Sequence, residues 1–90
     1  MTLLKTATSP AGHRVTLTRE CNTYRGAQPY YVITRYRPGD GRRFTHQRVV
    51  PECYGLLPGR LSSAAQRRAD ATQRAETIFA AFAQDPVEGP

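Results

Sequence analysis

Tryptophan is missing from this 90-residue chain, lysine occurs once, as Lys5, and the acids number only seven. Against that single lysine stand twelve arginines, so the formal net charge of +6 rests almost wholly on guanidinium groups. No apolar run approaches the roughly 18 residues that a membrane span requires. The opening MTLLKTATSP carries one lysine and a two-leucine patch, which is not the pattern of a secretory signal. A cytoplasmic setting without a membrane partner is therefore expected.

Cysteine is scarce as well. Cys21 and Cys53 stand far apart with no C-x-x-C, and adding His13 and His46 gives no paired-ligand spacing of the kind structural zinc sites use. Neither a metal nor a cofactor is expected. The phosphate-cradling G-x-x-x-x-G-K, the dinucleotide-binding G-x-G-x-x-G and the zinc-binding H-E-x-x-H are all absent. Neither cysteine sits in a nucleophile turn, and the acids show no paired-carboxylate spacing. The expectation is a protein that is not an enzyme and has no small-molecule substrate.

Hydrophobic residues at 39% and charged ones at 22% place the chain among globular proteins rather than disordered ones. Its length suits one domain, read here as residues 1–85 followed by a disordered tail, 86–90. The charge is unevenly spread. Residues 1–60 hold ten Lys and Arg against Glu20, Asp40 and Glu52, a net of +7, whereas residues 61–90 hold three Arg against four acids, a net of −1. Such asymmetry favours a nucleic acid or an acidic protein as partner. A GC-rich coding sequence would also enrich Arg and Ala, so placement must distinguish selection from codon bias.

Leu3 to Thr8 reads as a short edge strand, stopped by the turn composition of Ser9-Pro10-Ala11-Gly12. Arg14 to Cys21 alternates with period two: Val15, Leu17 and Cys21 on one side, with Arg19 the exception, and Arg14, Thr16, Thr18 and Glu20 on the other. After a loop with Gly26 and Pro29, YYVITRYR (Tyr30 to Arg37) is the strongest strand by composition, and RFTHQRVV (Arg43 to Val50) returns. A three-residue loop, Gly39-Asp40-Gly41, would pair Tyr36 with Phe44, Thr34 with His46, Val32 with Arg48 and Tyr30 with Val50. In that register the even-numbered face, with Tyr30, Val32, Tyr36, Phe44 and Val50, is the core. The odd-numbered face, with Arg35, Arg37, Arg43, Thr45 and Gln47 and with Tyr31, Ile33 and Val49 at its far end, is basic and polar.

Pro51 to Leu61 reads as a loop tacked down by Tyr54, Leu56 and Leu57. Ser62 or Ser63 caps a helix running to about Gln84, with Ser63-x-x-Gln66 matching a capping box. Its core face is assigned to Ala65, Ala69 and Thr72, then Ala75, Ile78, Phe79 and Phe82. The fold class is thus α+β: three or four antiparallel strands with one C-terminal helix on one face, in the order β-β-β-β-α.

The basic face is the candidate site. Arg14, Arg35, Arg37, Arg42 and Arg43 would gather around one hairpin, with Tyr31 as a stacking group and Tyr24-Arg25-Gly26 as an extension. Guanidinium forks match phosphate oxygens, and an adjacent aromatic can stack a base. The competing reading is a solvated face kept soluble by charge. His46 is read as a half-buried histidine facing the core. Phe79 and Phe82, on a helix end apolar nearly all round, are candidate dimer contacts. The first functional reading is a small module that contacts nucleic acid, DNA in the first instance, mainly through phosphates. The alternatives are an accessory protein of a phage or mobile element that inhibits a host protein or nucleoprotein complex, of the anti-CRISPR or anti-restriction type, and a small homodimeric adaptor.

Overall fold

A computed structural model describes residues 2–21, 29–52 and 64–87 of the chain. The expected helix cap at Ser62 or Ser63, the Tyr54–Leu57 contacts, the Tyr24-Arg25-Gly26 extension, Cys53 and residues 88–90 lie outside the described residues.

The period-two segments form four strands, β1 (Thr2–Thr8), β2 (Arg14–Cys21), β3 (Pro29–Arg37) and β4 (Asp40–Pro51), joined in one sheet in sequence order. Every neighbouring pair is antiparallel. One helix, α1 (Ala64–Phe82), follows and lies across one face of the sheet. The architecture is the expected α+β, β-β-β-β-α. Among the described residues no helix is long and apolar enough to cross a membrane.

The core joins Val15, Leu17, Tyr31, Ile33 and Val50 of the sheet to Ala71, Ala75 and Phe82 of the helix. Burying each large apolar side chain contributes roughly 1.5–3 kcal/mol. Alanines at Ala71 and Ala75 let the backbone of α1 come close to the sheet, and Phe82 fills the space at the far end. The expected inward alanines Ala65 and Ala69 are exposed instead.

The hairpin departs from expectation in one step that reverses a face. Its loop is Pro38-Gly39, closed by Arg37 opposite Asp40, with Gly39 at φ +75°. A turn of this kind needs a residue that tolerates positive φ, and glycine does so without strain. Tyr36 does pair with Phe44, but Arg35 pairs with His46, so Thr45 is an extra residue on β4. This bulge slips the remaining register by one. Arg48 therefore lies opposite Ile33, and Val50 opposite Tyr31.

Strand β2 explains which face is covered. Its inward Val15 and Leu17 stand opposite Arg35 and Ile33, and directly opposite residues share a face. The odd-numbered residues of β3 thus face the helix. The even-numbered ones face outward, and no described element covers them. Phe44, expected in the core, is 54% exposed on that outer side.

Phe82 is only 2% exposed and belongs to the core of the single chain. It is therefore not available as a dimer contact, which corrects that expectation; Phe79 is half-buried and packs against the same core. Val87 packs there too, so the packed chain extends past residue 85. Truncation of the Phe82 side chain would leave a cavity at the end of the helix. Phe82→Ala is expected to lower unfolding free energy by about 3–5 kcal/mol in a urea titration. The shift should be independent of protein concentration; a concentration-dependent midpoint would return Phe82 to an interface.

Candidate nucleic-acid interface

Arg35 was expected on an open basic face. Inward alternation along β3 instead carries it under the helix end, where it is 4% exposed. Its Nη1 donates to the Phe82 carbonyl at 3.1 Å and to the Gln84 carbonyl at 2.7 Å. Its Nη2 donates to the Asp85 carboxylate, forming an ion pair. Tyr31, expected to stack a base, is 1% exposed, and its hydroxyl meets Thr72 Oγ1 of α1 at 3.0 Å. Both residues leave the candidate interface: their side chains face α1 and are sealed by it.

Asp85 ties the helix end to the turn between β1 and β2. The Ala11 amide donates to its Oδ2 at 2.7 Å, and His13 Nδ1 lies 3.5 Å from its Oδ1. The turn is closed by the Ser9 amide donating to the His13 carbonyl at 2.8 Å and the His13 amide donating to Ser9 Oγ at 3.0 Å. The Ala11 amide first, then the Ser9 hydroxyl and the Arg35 guanidinium, hold the Asp85 carboxyl down at about 2 from its ordinary 3.8, against an upward push from desolvation.

Ser9, His13 and Asp85 resemble a hydrolase trio in composition alone. Ser9 Oγ and the Asp85 carboxylate both approach Nδ1 of the ring, at 3.3 and 3.5 Å. A proton relay needs them on opposite ring nitrogens. The buried Ser9 closes a turn here.

The remaining expected residues lie at the hairpin end of the sheet. Arg14, at the start of β2, lies with its guanidinium 4.5 Å from the centroid of the Tyr36 ring. Tyr36 pairs with the exposed Phe44 across the hairpin. Arg37, Arg42 and Arg43 are exposed along the same end of the sheet. The outer face therefore carries an arginine stacked on an aromatic ring with a second aromatic beside it, and three exposed guanidinium groups lie at the adjoining hairpin end. Glu20, an acid of that face, sits at the opposite end, across from Tyr30.

Reasoning from the sequence missed Tyr36 and Phe44 as surface groups, since an aromatic pair across a hairpin reads as core. The signal that would have found them is the pairing of Val15 and Leu17 with β3, which forces even residues outward. His46 is exposed and lies on the helix side of the sheet, its ring centroid 5.6 Å from that of Phe82. Among the described residues no group of three His, Cys, Asp or Glu is placed to hold a metal ion. Comparison with protein-family models, curated proteins and solved structures finds no match.

The buried arginine and its carboxylate make two measurable statements. Arg35→Ala strands two helix-end carbonyls and the Asp85 carboxylate, and is expected to cost about 3–5 kcal/mol of stability in urea unfolding. Arg37→Ala, at an exposed position, should change it by less than about 0.5 kcal/mol.

The Asp85 contacts also predict an acid limb. Above the ordinary value of 3.8 the carboxylate is ionised in folded and unfolded chains alike, and its contacts contribute in full. As pH falls below that, the unfolded chain binds the proton first; the contribution is gone once pH drops through about 2. Urea midpoints of the wild type should fall across this window, and Asp85→Asn should lack that part of the fall. Parallel curves for the two proteins would remove Asp85 as its source.

Proposed function

We propose that the chain is a nucleic-acid-binding module that uses the outer face of its sheet, chiefly through phosphate contacts. The observation that carries this reading is the Arg14–Tyr36 stack beside exposed Phe44 on the side of the sheet that no described element covers, with Arg37, Arg42 and Arg43 exposed at the adjoining hairpin end. Guanidinium groups bind phosphate oxygens through paired donors and are more weakly hydrated than ammonium groups. Aromatic faces beside them add sequence-tolerant stacking.

Charge placement supports it further. The inward arginine of β3 is neutralised by Asp85, and Lys5 pairs with Glu76 of the helix at 3.3 Å. Arg14, Arg37, Arg42 and Arg43 remain exposed at the hairpin end of the sheet. Binding of this type releases counterions, so affinity falls log-linearly with salt.

The test titrates the protein into labelled duplex DNA, single-stranded DNA and single-stranded RNA of random sequence at about 50 and 200 mM salt. Binding should weaken steeply between the two. Arg14→Ala/Arg37→Ala should flatten the salt slope by about one for each phosphate that is no longer neutralised. Both substituted residues are exposed, so the thermal melt should be unchanged. No binding at the lower salt, or a slope untouched by the double substitution, overturns the reading and leaves the face to a protein partner, the inhibitor type included.

A further inference from the structure

Strand β4 is an edge of the sheet, hydrogen-bonded to β3 on one side and to no other described strand. Between it and α1 runs a groove of about 470 Å³ whose lining includes Arg48, Val50, Gln73, Arg74, Thr77 and Ile78. Among the described residues two guanidinium groups line it and no carboxylate does. From His46 to Pro51 the ladder with β3 proceeds without interruption, so the opposite side of this stretch presents backbone donors and acceptors at regular strand spacing. The other edge, β1, lacks that regularity because its ladder is broken between Leu3 and Lys5.

We propose that this edge and groove form a docking site for an extended acidic peptide of a partner protein, which adds as a further strand to β4. Backbone pairing at strand spacing is a property of polypeptide and has no counterpart in a nucleic-acid chain. Side-chain specificity follows from the pleat. Residues of the added strand opposite His46, Arg48 and Val50 point toward α1, about 6.6–6.8 Å apart. The one opposite Val50 meets Val50 and Ile78, and is apolar. The one opposite Arg48 lies between Arg48 and Arg74, and is Asp or Glu. The residue opposite Val49, which is 54% exposed on the outer side, is β-branched. The site thus selects an apolar, β-branched, acidic sequence in that order for antiparallel addition. It is separate from the outer face and does not depend on what that face binds.

The experiment uses the full chain, isotopically labelled, and a fluorescein-tagged octapeptide with Val-Val-Glu-Thr-Glu at its centre. A second peptide carries lysine in place of both glutamates. Amide shifts confined to β4 and the facing side of α1 are expected with the first peptide alone. Arg48→Glu/Arg74→Glu should weaken its binding by roughly tenfold or more, since charge reversal turns attraction into repulsion. Arg14→Glu/Arg37→Glu should not. Both pairs are exposed, and unchanged thermal melts would show that each variant folds. Four results overturn the proposal. The lysine peptide binds equally well; the shifts fall on the Arg14–Tyr36 face; no shift appears at about 1 mM peptide, the weak end of specific affinity; or an oligothymidine perturbs the same β4 amides and displaces the peptide, which would make the groove a nucleic-acid surface.

Discussion

One buried guanidinium organises this fold. Arg35 reaches from the third strand to the carbonyls that end the helix, and Asp85 balances its charge while holding the Ala11 amide of the first turn. The last turn of α1 contains no basic residue of its own. The cation that complements the negative end of the helix dipole therefore comes from the sheet. A charge so placed is costly to desolvate unless it is paired, and here two carbonyls and a carboxylate take its Nη donors, while the buried Nε has no hydrogen-bond partner among the described residues. The helix end, the middle of the sheet and the β1–β2 turn thus meet at one residue. Its inward direction also fixes which face of the sheet the helix covers, and so which residues meet solvent.

That single direction explains what was legible in the sequence. The four strands, their antiparallel order and the one C-terminal helix follow from alternation, turn composition and a helical run of alanines, all of which are local signals. The covered face of β3 was misjudged because the rule applied was compositional. Tyr30, Val32 and Tyr36 on one side outweigh Tyr31, Ile33, Arg35 and Arg37 on the other if an arginine is assumed to face water. The arginine faces inward because its partners, Phe82, Gln84 and Asp85, lie some fifty residues away, and no local pattern announces such a contact. The bulge at Thr45 had no signal either: one extra residue moved β4 by a single register step, and period two converts that step into a change of face. Tyr31 and Arg35 left the candidate site because the helix covers their side of β3, and Tyr36 and Phe44 entered it on the other side. Arg14 lies against Tyr36, and Arg37, Arg42 and Arg43 are exposed at the turn end of the sheet.

The arginine excess can now be weighed by position. A coding bias alone enriches arginine without regard to geometry. Here the arginines fall into groups with different surroundings. Arg35 is neutralised within the fold, and Arg19 pairs with Glu52 at 3.5 Å. Arg48 and Arg74, from different elements, meet in a groove with no acid among its described lining residues. Arg14 lies against Tyr36 and near the exposed arginines of the hairpin. Solubility needs charge on the surface but is indifferent to its clustering, and like charges held close repel one another. Clusters of one sign are tolerated at a cost, which is the physical reason for reading them as binding surfaces.

The outer face and the β4 groove lie on opposite sides of one thin layer, and β4 contributes to both. Alternation makes this possible: Phe44 and Val49 turn outward while Arg48 and Val50 turn toward the helix. An occupant of the groove would therefore leave the outer face open while bridging β4 on its free edge. Any coupling between the two surfaces would pass through the pairing of β4 with β3, and its weakest point is the irregular stretch between Tyr36 and His46. There the ladder is interrupted, and there the exposed arginines of the hairpin sit. A strand added to the regular part of β4 would extend the sheet without requiring that stretch to move, so the architecture favours two ligands that bind side by side over two that exclude one another.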